Sequence, residues 1–305
     1  MIKADDIDKS PIIVTGMWHS GTRMLVDILE TAGVDFGRNK NALADSTRDF
    51  LDLELNNLCH TLVLKRLNNF NPTKREKRQV AAILSRYFSF NGLWGFKIPT
   101  ISYVMPYFIK LYPQCRIVAI LRDARDVALS GVGIGAPAAL PKRRDFNRDA
   151  DFLKFYLRHF REWLRFQRLK KKMFFGRTDI KEFQGINFSN IGFKDTKYPP
   201  KSHMFVAQLW VESTSRLIAN RPYPQYYEVR YEELCQNPGK IIPGILQHAG
   251  ITKYGNLQRL INIPNTTRIG KWKKVGEDVV REITLIAGEL LGKLGYVHDN
   301  IPQRV

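Results

Sequence analysis

The chain has 305 residues, 44% of them apolar, and a formal net charge of +19 at pH 7. That is ample material for the two-sided sheet core of one large domain spanning 1–305. Three widely separated cysteines (Cys59, Cys115, Cys235) with no CxxC spacing point to a reducing compartment and away from a zinc site. The polar, acidic start MIKADDIDKS is no secretory leader, and no stretch approaches the ~18–20 uninterrupted apolar residues of a membrane span, so the chain reads as cytoplasmic.

Pro11 to Arg23 reads PIIVTGMWHSGTR. Ile12, Ile13 and Val14 suit a buried parallel strand, and Gly16 and Gly21 allow a tight turn close to an oxyanion. Ser20 and Thr22 are helix-start signals. The helix that follows carries Met24, Leu25, Ile28 and Leu29 on one face and stops at Gly33. An anion held at this junction would meet unpaired backbone N–H groups and the positive end of a helix dipole. The spacing of Gly16 and Gly21 is that of a nucleotide P-loop, but Thr22 stands where a nucleoside-triphosphatase needs Lys. The basic group here is His19, just before Ser-Gly-Thr.

A mostly helical stretch is expected from Thr47 to Phe90, then a strand in Trp94–Ile98 ended by Pro99, then a helix from about Ser102 to Leu111. Ile117 to Leu121 is apolar throughout, the mark of a strand covered on both faces. Arg122 follows at its carboxyl end, where open α/β sheets bind ligands, and its guanidinium forks two hydrogen bonds to a phosphate without ever losing its charge. Ser130 could add a hydroxyl from the next helix. Arg125 and Asp126 read as part of a surface ion-pair ladder.

Residues 142–201 hold 17 Lys or Arg against 7 Asp or Glu. Within them Phe152, Tyr156, Phe160 and Trp163 share one helical face, and Lys154, Arg158, Arg161 and Arg165 lie on the rest. Three readings compete for this insertion: a solvated basic face, a surface that attracts an anionic substrate, or contact with an anionic membrane. The loop-like 176–200 stretch is long enough for a lid. Further helices are expected at Ser202–Asn220, at Glu232–Ala249 with breaks near Pro238 and Pro243, and at Glu277–Leu294; a strand is expected at Tyr226–Arg230. Strands separated by helices imply an α/β fold, a parallel β-sheet flanked by helices.

The segment MWHSGTR resembles the 5′-phosphosulfate loop of the sulfotransferases that use 3′-phosphoadenylyl sulfate (PAPS) as donor. CRIVAILRDARDVALS, from Cys115 to Ser130, is similar to that family's 3′-phosphate-binding strand and helix. Val229 to Leu234, Arg268 to Trp272 and Leu294 to Tyr296 match further family elements in the same order. The stretch from about Gly131 to Pro200 matches none. The resemblance implies a P-loop-like sulfotransferase architecture carrying the basic helical insertion. It also implies a metal-free reaction that leaves 3′-phosphoadenosine 5′-phosphate (PAP). By the same token it places Trp18, Ser20, Gly21, Thr22 and Arg23 at the 5′ end of the donor, and Arg122, Ser130, Arg268, Gly270 and Lys271 at its 3′-phosphate.

Catalysis by such a site is mostly positioning and electrostatic stabilisation. His19 stands where the family has Lys or Arg. It is either a donor to the leaving oxygen, with its pKa raised by an anionic pocket, or a loop histidine of which only the backbone matters. Lys97, at its strand end, is a second candidate for the bridging oxygen. Pro99 replaces the His of phenol-type members, which points to a carbohydrate, lipid-linked or peptide acceptor. Glycan and tyrosyl-protein branches of the family use a carboxylate after the first helix, so the resemblance implies Asp45 as base, ahead of Asp52 and Glu54, although Asp45 before Ser46 is also good capping chemistry. For Arg268, Gly270 and Lys271 a basic loop without a ligand stands beside the phosphate reading, and Trp272 packs on adenine or on the core. Tyr231 reads as structural. A P-loop kinase or a basic nucleic-acid-binding protein is the alternative. The first lacks the Lys after Gly21, and the second rests on charge alone, so no specific nucleic acid is expected. The acceptor and the oligomeric state are not legible.

Overall fold

The computed structural model describes residues 10–37, 71–85, 87, 88, 90, 92–130 and 202–296. Their strands are β1 (Ile12–Gly16), β2 (Gly95–Lys97), β3 (Arg116–Leu121) and β4 (Tyr226–Arg230). All pair in parallel, in the order β2-β1-β3-β4. The helices are α1 (Thr22–Thr31), α2 (Lys74–Leu84), α3 (Met105–Leu111), α4 (Ala124–Ser130), α5 (His203–Ile218), α6 (Tyr231–Gln236), α7 (Pro238–His248), α8 (Leu257–Ile261) and α9 (Glu277–Lys293).

Helices on both faces explain why the central strands β1 and β3 read as near-continuous apolar runs. In β3, Ile117, Ala119 and Leu121 enter the core shared with α2, α3, α4, α5 and α9. Val118 and Ile120 enter the opposite core with α1, α6, α7 and α8. Ile13 of β1 joins the first core, and Ile12 and Val14 join the second. Leu25, Val26, Ile28 and Leu29 form the buried stripe of α1 against that second face. Burial of each such side chain contributes about 1.5–3 kcal/mol.

Local chemistry sets the element ends. Val34 N–H reaches back to the Leu29 carbonyl at 3.0 Å across Gly33, closing α1 where its glycine predicts. Ser202 caps α5 by accepting the Phe205 N–H at 3.1 Å. The expected Ser102–Leu111 helix is instead a 3₁₀ turn (Pro99–Tyr103) followed by α3, because Val104 leaves the helical region between them. The second expected break, at Pro243, is absent. Pro238 opens α7, whereas Pro243 sits inside it. Ser20 and Thr22 do not cap α1: its N-cap is Gly21, with no side-chain cap. Among the described residues no helix is long and apolar enough to cross a membrane.

The chain passes from β1 to β2 on one side and then returns to β3 on the other. The sheet therefore switches direction between β1 and β3, and ligands of open α/β sheets bind at such a crevice, beyond the carboxyl ends of the strands.

Candidate active site

Two segments meet at that crevice: the Met17–Gly21 loop leaving β1 and Arg122 leaving β3. Ser20 N–H donates to the Met17 carbonyl at 3.1 Å, which folds the loop into a turn. His19 adopts a positive φ of 66°, uncommon for a residue with a side chain, and Gly21 adopts 100°. Gly21 is also required sterically. A Cβ there would lie 2.5 Å from Cδ2 of Tyr231, whose ring forms the floor of the loop.

Ser20 is 1% exposed, and its Oγ has no hydrogen-bond partner among the described residues. A buried hydroxyl left in this state costs about 1–3 kcal/mol unless something else satisfies it. With α1 starting at an N-cap that supplies no side-chain acceptor, the loop presents an unsatisfied hydroxyl beside a helix N-terminus of open N–H groups. Those are the groups an oxyanion would use.

Arg122 is buried, 3% exposed, and ties the crevice together. Its Nη1 donates to the His19 carbonyl at 2.8 Å, and its Nη2 donates to the Arg268 carbonyl. Nη2 also lies 3.7 Å from Asp126 Oδ2, and the guanidinium carbon stands 4.3 Å from the centre of the Tyr231 ring. Nε is buried without a partner among the described residues. From below, Trp210 Nε1–H donates to the Arg122 carbonyl at 3.0 Å. The Arg122 side chain is thus a bracket between the loop and the 268–272 segment, with donor capacity left over.

Arg125 and Asp126 are not the surface ladder their spacing predicts. Both are buried because the 268–272 segment and residue 296 cover α4. Arg125 pairs with Asp123 at 2.6 Å, donates to the Tyr296 carbonyl at 2.9 Å, and lies 3.7 Å over the Trp272 ring. Trp272 therefore packs on an arginine, a third outcome beside adenine and core. Asp123 in turn receives Glu232: its N–H donates to Glu232 Oε1 at 3.0 Å, and Tyr296 O–H donates to Glu232 Oε2 at 3.2 Å. Burial pushes the Glu232 carboxyl above the usual range. The RDARD, YEEL and LGY motifs thus form one scaffold. Tyr231 has the structural place its motif predicts, under Gly21 and Arg122, whereas the roles of Glu232 and Tyr296 were not assigned from sequence.

The remaining candidates divide. Arg23, Arg268 and Lys271 are exposed, and Trp18 is half-buried against the first core. Lys97 pairs in register with Val14, so it leaves the sheet on the face of α1, beside the loop's strand. Gly270 has its N–H taken by Asp126 at 2.8 Å. Ser130, at the far end of α4, makes no hydrogen bond to Arg122 or to the 268–272 segment among the described residues. Asp45, Asp52, Glu54, Cys59 and the 142–201 insertion lie outside the described residues.

His19 stands at the surface with its ring partly desolvated. That desolvation comes first, followed by the positive charges of Arg122, Arg23 and Arg268, and together they hold its pKa below the ordinary 6.5. The expected rise belongs to a pocket filled with anion; by itself the pocket is cationic and pushes the other way.

No family model matches the chain, and no curated protein matches it. Solved structures similar to it include a sulfotransferase from Alicyclobacillus acidocaldarius, at 12% identity, with 96% of this chain and 97% of that one covered and a TM-score of 0.47. STF9 from Mycobacterium avium is similar at 14% identity, covering 95% and 78%, with a TM-score of 0.47. The mouse sulfotransferase SULT7A1 complexed with PAP is similar at 13% identity, covering 93% and 85%, with a TM-score of 0.46. The functional reading rests on the residues themselves.

Proposed function

We propose that this chain transfers a sulfuryl group from PAPS to a hydroxyl or amine of a carbohydrate, lipid-linked or peptide acceptor. The observation that carries the reading is the Arg122 bracket. One guanidinium holds the carbonyl of the Met17–Gly21 loop and that of the 268–272 segment, so a single ligand with an anion at each end can reach both.

The donor fits the groups present. Ser20 Oγ, buried with no partner among the described residues, and the N–H groups at the start of α1 suit the 5′ end. Arg122 Nε, with the exposed side chains of Arg268 and Lys271, suits the 3′-phosphate. PAPS supplies an activated sulfuryl group whose departure leaves negative charge on a phosphate oxygen. In this reading His19 and Lys97 neutralise charge at that oxygen, His19 by holding a proton. Asp45, with Asp52 and Glu54 as alternatives, would take the acceptor's proton.

Thermal unfolding tests the reading. PAP is expected to raise the midpoint by several degrees at saturating concentration, and ATP with Mg²⁺ to raise it little. A larger shift with ATP and Mg²⁺ would favour the kinase alternative.

The His19 pKa gives a pH prediction with a definite sign. Burial first and the neighbouring arginines second lower it; a bound phosphate dianion offsets the arginines, so the complex holds the proton to higher pH than the free protein does. Affinity is then greatest below the free pKa and declines as pH rises through the pKa of the complex. Phosphate itself titrates near 6, so the quantity to measure is the ratio of PAP affinities of wild type and His19→Lys. That ratio should fall between about pH 5 and pH 8. A constant ratio would reduce His19 to its backbone.

A further inference from the structure

Asp126 is 1% exposed, yet it is an acid in a site argued to hold anions. Repulsion would weaken binding unless the carboxylate does something else. Its partners define what that is. Oδ2 accepts the Gly270 N–H at 2.8 Å and Oδ1 accepts the Trp272 N–H at 3.2 Å. Oδ2 also lies 3.7 Å from Arg122 Nη2. The same helix adds a second clamp, since Arg125, one residue earlier, stacks on the Trp272 ring at 3.7 Å.

Lys271 sits between these holds and Arg268 lies two residues before the first of them. Arg268 presents its carbonyl to Arg122 and leaves its side chain exposed; Lys271 begins the 3₁₀ turn Lys271–Lys274. Without Asp126 the segment keeps the Arg268 carbonyl contact and the Trp272 stack, but nothing among the described residues fixes the N–H groups on either side of Lys271.

We infer that Asp126 is a positioning residue: by holding the Gly270 and Trp272 N–H groups and flanking Arg122, it sets the 268–272 segment so that Arg268 and Lys271 converge with Arg122 on one phosphate. This rests on the PAPS reading of the same site. Its carboxylate is already occupied by two N–H donors and an arginine, so it adds little repulsion toward the ligand.

Asp126→Asn tests it. The amide keeps one acceptor but turns an N–H₂ group toward a backbone N–H, so one of the two holds is lost. Affinity for PAP is expected to fall about tenfold, and affinity for 5′-AMP, which has no 3′-phosphate, to change less than about threefold. A purely structural role would lower both alike. In a double-mutant cycle, Asp126→Asn should add little to Arg268→Ala, since it acts through that segment. Full additivity, or an unchanged PAP-to-AMP ratio, would overturn the inference. Should Asp126→Asn fold poorly, Arg125→Lys takes its place, because it loosens the second clamp on the same segment. That variant keeps the charge facing Asp123, loses the planar stack on Trp272, and should lower the same ratio. Wild-type protein that binds no PAP would instead sink the donor assignment and leave hydrogen exchange as the arbiter. The amides around Gly270 and Trp272 should lose protection in Asp126→Asn whether or not a ligand binds, and retained protection would refute the hold itself.

Discussion

Arg122→Ala is expected to reduce PAP affinity by about 100-fold or more, because it removes a charge-assisted donor from a desolvated site. It should also destabilise the fold. The His19 and Arg268 carbonyls each lose their donor, Asp126 loses the cation 3.7 Å away, and the Tyr231 ring loses the group above it. Breaking one partner out of such a buried arrangement typically costs about 3–5 kcal/mol. Arg122→Lys separates the two effects: it retains charge but cannot bridge two carbonyls from one planar fork. Calorimetric titration with PAP and with 5′-AMP, beside denaturant unfolding, reads both. A loss confined to PAP assigns Arg122 to the 3′-phosphate. Equal losses for the two nucleotides would make it a bracket between loops and nothing more.

Gly21→Ala is the second large effect. Gly21 and Gly33 share a φ of +100°, but their surroundings differ. At Gly33 an added Cβ meets nothing within 4 Å, whereas at Gly21 it meets Tyr231 Cδ2 at 2.5 Å and Ile120 Cδ1 at 3.2 Å. Gly33→Ala should therefore cost only the backbone term, about 1 kcal/mol. Gly21→Ala should cost about 1–3 kcal/mol more, since the Tyr231 ring is packed under Arg122 and has nowhere to go. It should also displace the loop and lose PAP binding, which Gly33→Ala should retain. Comparable unfolding midpoints for the two variants would show that the floor under the loop yields.

The comparison of particular residues shows how much could be read in advance. The β1 loop, the Arg at the end of β3, and β4 were legible because each is a local pattern: an apolar run, a turn glycine, a polar residue at a strand end. Ser20 was legible as a polar group in the loop after β1 but was misassigned as a helix-start signal. Its hydroxyl is buried rather than turned back on the helix. Arg125 and Asp126 were misassigned for a related reason. Alternating charges on a short helix look alike whether water or a later segment covers them, and here residues 268–272 and 296 do.

By itself the sequence determined the strands, the glycine loop after β1 and the order of the motifs, since each depends on neighbours within a few positions along the chain. Only the tertiary structure decided that Arg122 spans two loops, that Tyr231 is the reason for Gly21, and that Asp126 holds backbone instead of facing water. Those contacts join residues more than a hundred positions apart, and no local periodicity encodes which buried charge will meet which distant carbonyl or N–H.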